Sequence, residues 1–171
     1  MSQSLGEFVA DKPIFVDANI FLLHAFDDER YGQVVTAFLT KIEGDEIEAL
    51  TSSRVIDEVF FKILVQEAAA HLDKPTIWNI KRAMKDKTFV EKVYKPVSEY
   101  KSYVESLVLL GMRIVDVTGT HMLMAADIGS ELGLLITDAA HVAVMREQGT
   151  RHLATADADF FGIEGITTWV P

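Results

Sequence analysis

The stretch PIFVDANIFLLHAF, residues 13–26, changes its period halfway along. PIFVD is a short β-rich run, and ANIFLLHAF behind it spaces its apolar residues as a helix does. A strand feeding straight into a helix, with Asp17 at the junction, is the unit from which parallel sheets are built. A second helical pattern follows in RYGQVVTAFLTKIEG, residues 30–44.

The unit recurs down the chain. EALTSS (48–53) is predicted as a strand ending in a serine N-cap, and RVIDEVFFKILVQEAAAHL (54–72) as the helix it opens. Residues 75–110 carry no strand signal and are predicted as two or three helices broken near Pro96. MRIVDVT (112–118) is a predicted strand. HMLMAADIGSELG and DAAHVAVMREQG are predicted helices closed by Gly133 and Gly149, and RHLAT and ITTWV finish the chain as strands. Strands alternating with helices predict an α/β fold, a three-layer α/β/α sandwich with a central parallel sheet. The 171 residues contain no linker, repeat or low-complexity tract and are expected to form one domain, residues 1–171, with about a dozen residues ahead of the first strand.

Composition removes several classes of function. A hydrophobic content of 49% fits a packed globule. The apolar runs are far too short to span a bilayer, and MSQSLGEFVADK lacks the basic and apolar regions of a secretory leader, so a cytoplasmic location is expected. The absence of cysteine excludes disulfides, thiolate nucleophiles and cysteine-rich zinc sites. The histidines His24, His71, His121, His141 and His152 are scattered without zinc-like spacing. The net charge of −10 argues against a nucleic-acid partner until its distribution is read. The segment from Lys74 to Lys101 is net +5 and the remainder net −15, a basic helical arm (about 74–110) on an acidic body. That arm is either a solvated helical face or a surface for phosphates.

Four acids belong to one edge if the strands are parallel. Asp17 and Asp157 each follow a strand, Glu58 lies in the first turns of the helix after EALTSS, and Asp138 opens DAAHVAVM. Each has an ordinary explanation: an N-cap for Asp17, the helix dipole for Asp138, an i+4 pair with Lys62 for Glu58, a polar loop for Asp157 and Asp159. Together they repel one another unless a cation sits among them. An all-oxygen donor set suits Mg²⁺ or Mn²⁺, and such ions promote phosphodiester hydrolysis. A haloacid-dehalogenase-type phosphatase would carry D-x-D after its first strand, where this chain has Asp17-Ala18-Asn19. His141, three residues after Asp138, reads as a packed residue. The methionines of HMLMAAD read as core; Trp78, on a basic amphipathic helix, reads first as a core anchor and otherwise as a ring that stacks on a base or a partner.

FVDANIF, SSRVIDEVFFK, ITDAAHVAVM and LATADADFF, in that order, resemble the four acidic motifs of PIN-domain nucleases, nearest to the VapC-type toxin ribonucleases. The resemblance implies that Asp17, Glu58, Asp138 and Asp157 are catalytic metal-binding acids. It implies Asp159 as a more variable fifth ligand, Thr155 and Asn19 as supporting residues, and Mg²⁺ or Mn²⁺ as the cofactor. Arg54 is a candidate for positioning the substrate. The resemblance further implies cleavage of RNA, a homodimer and, in the toxin branch, a small antitoxin protein that blocks the site. The alternative is a non-catalytic PIN scaffold that binds RNA or a protein partner.

Overall fold

The computed structural model describes residues 2–9 and 12–171. Its strands are β1 (Gln3–Ser4), β2 (Ile14–Val16), β3 (Ala49–Ser52), β4 (Arg113–Val115), β5 (His152–Ala154) and β6 (Thr167–Val170). They form one sheet in the order β1-β6-β5-β2-β3-β4, and every pairing is parallel. The helices are α1 (Ala18–Ala25), α2 (Gly32–Glu43), α3 (Ser53–Ala70), α4 (Ile77–Ala83), α5 (Lys87–Leu109), α6 (Gly119–Leu132) and α7 (Ile136–Glu147).

The predicted sandwich is the observed one. β2, β3 and β5 are buried along nearly their whole length, as strands covered on both faces must be. α1, α2, α3 and α5 pack on one another, and α6 packs on α7. With the strand order β2-β3-β4 running one way and β5 on the other side of β2, the right-handed rule for parallel crossovers assigns the first group to one face of the sheet and the α6–α7 pair to the other. The turn joining those two helices is tight because Gly129 has no side chain: a Cβ there would stand 3.0 Å from the Leu134 carbonyl oxygen. Gly133, at φ +73°, makes the left-handed turn between them, as its place in the sequence predicts. Among the described residues no single helix is long and apolar enough to cross a membrane.

Strand order reverses around β2. The chain runs outward through β3 to β4, then crosses back to place β5 on the other side of β2. Ile14, Phe15 and Val16 pair with His152, Leu153 and Ala154, so the residues leaving the two strands, Asp17 and Thr155, emerge side by side. This is the switch point at which open parallel sheets place their ligands.

Several expectations are corrected. The first strand lies within the leading dozen residues: Gln3 and Ser4 pair with Trp169 and Val170 at the sheet edge. α5 runs unbroken through Pro96, held by the buried Val93, Val97, Tyr100 and Val104 on its inner face. β4 spans only Arg113–Val115, because Thr118 leaves the strand to cap α6 in a reciprocal capping box with His121. Met122 and Met124 are 41% and 40% exposed and are not core; His121 is the buried residue of that turn. Trp78 is 83% exposed and packs into neither hydrophobic cluster.

Candidate active site

Asp17 is the N-cap of α1 and is almost fully buried. Its Oδ1 accepts from the Ala18 N–H at 2.7 Å. Its Oδ2 accepts from Thr155 Oγ1 at 2.7 Å and from Asn19 Nδ2 at 2.6 Å. Asn19 also reaches across the switch point, its Oδ1 accepting from the Ala156 N–H at 2.8 Å. Thr155 Oγ1 in turn accepts from the Asp157 N–H at 2.9 Å. The ends of β2 and β5 are thus stitched together by side chains, and Asp17 is immobilised at the seam.

Asp157 caps the 3-10 turn Ala158–Phe160, its Oδ1 accepting from the Asp159 N–H at 2.9 Å. Phe160 is buried and anchors that loop from beneath. Glu58, on the second turn of α3, is ion-paired to Lys62 at 2.6 Å with about a quarter of its side chain exposed. α3 itself starts where Ser52 Oγ accepts from the Val55 N–H, fixing the angle at which Glu58 leaves the sheet edge. Asp138 is half-buried in the first turn of α7.

The four acids share one electrostatic environment. Burial, with Glu58 and Asp157 nearby, pushes the Asp17 carboxyl up to about 6, although the Thr155 and Ala18 hydrogen bonds oppose the rise. Asp138 is raised as well, mainly by burial and further by Asp157, Asp17 and Glu58, with His141 working against the shift. Asp159 is exposed, and its backbone N–H makes its contact with Asp157. Arg54 is exposed and held by Asp57 at 2.8 Å.

His141 lies beside this cluster, as its place three residues after Asp138 suggests. It is buried against Phe15, and its Nδ1 has no hydrogen-bond partner. Burial holds the imidazole below its ordinary value, while Asp138 and Glu58 pull it upward. The i, i+3 spacing from Asp138 was the available signal for it.

Hard oxygen donors, with Asp17 and Asp138 raised by burial and by neighbouring acids, are what a divalent cation would relieve. Among the described residues, however, no three acidic or imidazole side chains stand arranged as a finished metal cage. Two local causes are visible. Glu58 is turned to Lys62, and both Asp17 oxygens face N–H and O–H donors. The donor types are those a hard divalent cation takes, and Lys62 already engages one Glu58 oxygen.

A family model described as PIN domain matches residues 14–165. No curated protein gives a significant match. Among solved structures, a toxin–antitoxin complex from Klebsiella pneumoniae is similar at 17% identity and TM-score 0.55, covering 91% of this chain and 96% of that one. Mycobacterium tuberculosis VapC20, a sarcin–ricin-loop-cleaving toxin, is similar at 17% identity and TM-score 0.56, with 86% and 92% covered. VapBC2 from Rickettsia felis, bound to a DNA fragment from its promoter, is similar at 13% identity and TM-score 0.55, with 93% and 98% covered. At these identities the likeness is one of fold.

Proposed function

We propose a function for this chain from one plain premise: it belongs to the PIN-domain family. The chain is a divalent-metal-dependent endoribonuclease that hydrolyses RNA phosphodiester bonds in the cytoplasm. The observation that carries this reading is the convergence of Asp17, Glu58, Asp138 and Asp157, from four separate elements, close enough that Glu58 and Asp157 add to the burial that raises Asp17 and the other three acids add to the burial that raises Asp138.

Asp17, Glu58, Asp138 and Asp157 would hold one or two Mg²⁺ or Mn²⁺ ions, with Asp159 at the rim. Bound there, such an ion supplies Lewis acidity toward phosphoryl oxygen and water. The chain's own residues do the rest. Thr155 and Asn19 hold the Asp17 carboxylate in one orientation at the seam of β2 and β5. Asn19 also ties the Asp157 loop to α1 through Ala156. Arg54, exposed at the edge of the cluster, meets the phosphates of the strand. His141 buttresses Asp138 from within the core.

The toxins and toxin–antitoxin complexes among the similar folds support a toxin role with a small antitoxin as partner. One observation favours a second reading, a non-catalytic scaffold: Glu58 is already neutralised by Lys62. Incubation with mixed RNA and DNA oligonucleotides in Mn²⁺, Mg²⁺ or chelator separates the two. The nuclease cuts RNA in either metal, is silent in chelator, and loses activity in Asp17→Asn. RNA cleavage that persists in Asp17→Asn or in chelator overturns the assignment.

A further inference from the structure

The distal end of α3 carries a structure of its own. Ala68 of α3, Ile80 of α4 and Val93 of α5 form a small core apart from the main one, sheathed by Leu64, Val65, Leu72, Met84 and Phe89. This second core fixes α4 as a rigid corner. Ile80, with Met84 at the C-cap, occupies the inward face of α4, which turns Trp78 and Arg82 to the opposite side and Lys81 to the flank beside them. Trp78 is 83% exposed and touches neither core.

Charge at this corner runs against the rest of the molecule. Lys74, Lys81, Arg82, Lys85 and Lys87 are all exposed, and among the described residues none forms an ion pair. The acids in the same span are Asp73 and Asp86, and Asp86 has an oxygen engaged by the Thr88 N–H in capping α5. In a chain of net charge −10, an unpaired basic cluster around a bare indole has one complementary class of ligand. That class is a flexible polyanion with aromatic faces. An acidic peptide offers the charge without the stacking partner, and duplex nucleic acid hides its bases.

We propose that the α4 corner is a docking arm for single-stranded RNA, in which Trp78 stacks on an unpaired base and Lys81 and Arg82 hold the flanking phosphates. The arm deepens the nuclease reading and rests on it for its choice of RNA. Ala68, against which the corner packs, lies ten residues beyond Glu58 along α3, about 15 Å along the helix axis. An RNA held at both places must be long enough to span that distance. The arm therefore selects substrates by length and single-strandedness and leaves the chemistry at the acids untouched.

The test measures binding and cleavage separately on the full chain. Affinities for labelled single-stranded RNAs of about 4 and about 16 nucleotides, the range of single-strand site sizes, are read by anisotropy in chelator. Cleavage of the same RNAs is followed in Mn²⁺. Trp78→Ala should weaken binding of the longer RNA about tenfold. Lys81→Gln with Arg82→Gln should make its log–log salt dependence shallower by about 1.4. Both variants should melt as the parent does and cleave the shorter RNA at the parent's rate. Duplex RNA of the longer length should show no Trp78 dependence. Arm variants that bind the longer RNA as tightly as the parent overturn the proposal. So does a polyglutamate peptide whose binding depends on Trp78 when RNA binding does not. A parent that binds the longer RNA through Trp78 yet cleaves neither RNA overturns the nuclease reading and leaves the arm standing. A parent that cleaves both while the arm variants bind unchanged does the reverse.

Discussion

Thr155 Oγ1 donates a hydrogen bond to Asp17 Oδ2 at 2.7 Å, joining residues 138 positions apart in the sequence. The same hydroxyl oxygen accepts from the Asp157 N–H, so one small side chain connects two acids of the candidate site. Thr155→Val deletes this link while keeping the shape. It leaves a buried carboxylate and an N–H each short of a partner, at a cost of about 1–3 kcal/mol. Because the lost bond favours the ionised carboxyl, Asp17 should titrate higher still, and the acid limb of the cleavage–pH profile should move upward. Thr155→Ser should restore both stability and profile. An unmoved profile in Thr155→Val would show that the bond does not tune Asp17.

The sign of the Asp17 shift makes a second prediction. A carboxyl raised from 3.8 to about 6 binds more protons folded than unfolded within that interval. Its contribution therefore favours folding below the lower value and is lost as pH rises through the upper one, by up to about 3 kcal/mol. In metal-free protein, the melting temperature of the parent relative to Asp17→Asn should fall between pH 3.8 and about 6 and stay level above. A difference independent of pH would mean that Asp17 titrates at its ordinary value.

Lys62 competes for Glu58. Their pair is a surface contact at i, i+4, so Lys62→Met should change stability by less than about 0.5 kcal/mol. Freed from Lys62, Glu58 should bind cations better, and calorimetric Mn²⁺ affinity should rise several-fold. Unchanged affinity would place Glu58 outside the ligand set.

Pro96 sits inside α5 without breaking it. A proline there leaves one carbonyl of the preceding turn without its helical N–H. Pro96→Ala should stabilise the protein by about 1–3 kcal/mol, seen as a higher melting temperature with the same helical circular dichroism. A lower melting temperature would mean that the ring's packing beside Tyr100 outweighs the lost hydrogen bond.

These residues show where sequence reasoning reaches and where it stops. Strand-to-helix junctions such as that at Asp17 are legible because the hydrophobic period changes there. Parallel pairing then brings Asp17, Glu58, Asp138 and Asp157 to one edge. The edge strand at Gln3–Ser4 is illegible because two exposed residues carry no period. Pro96 misleads because local propensity favours a break, whereas the long apolar face of α5 keeps it on the body. Trp78 misleads because its exposure depends on which face of α4 meets the small distal core, a fact of tertiary packing. The pairing of Lys62 with Glu58 is legible as an i+4 spacing, but only the folded helix shows the pair made.

The central claim is that four carboxylates from four elements form one cation site. Isothermal titration of Mn²⁺ at pH 7.5 into the parent and into Asp17→Asn, Glu58→Gln, Asp138→Asn and Asp157→Asn tests it most directly, with folding checked by melting. The account predicts saturable binding by the parent and at least about a tenfold loss in each variant, about 1.4 kcal/mol. Parent-like Mn²⁺ affinity in any two of the four folded variants, or no saturable binding by the parent, would contradict it.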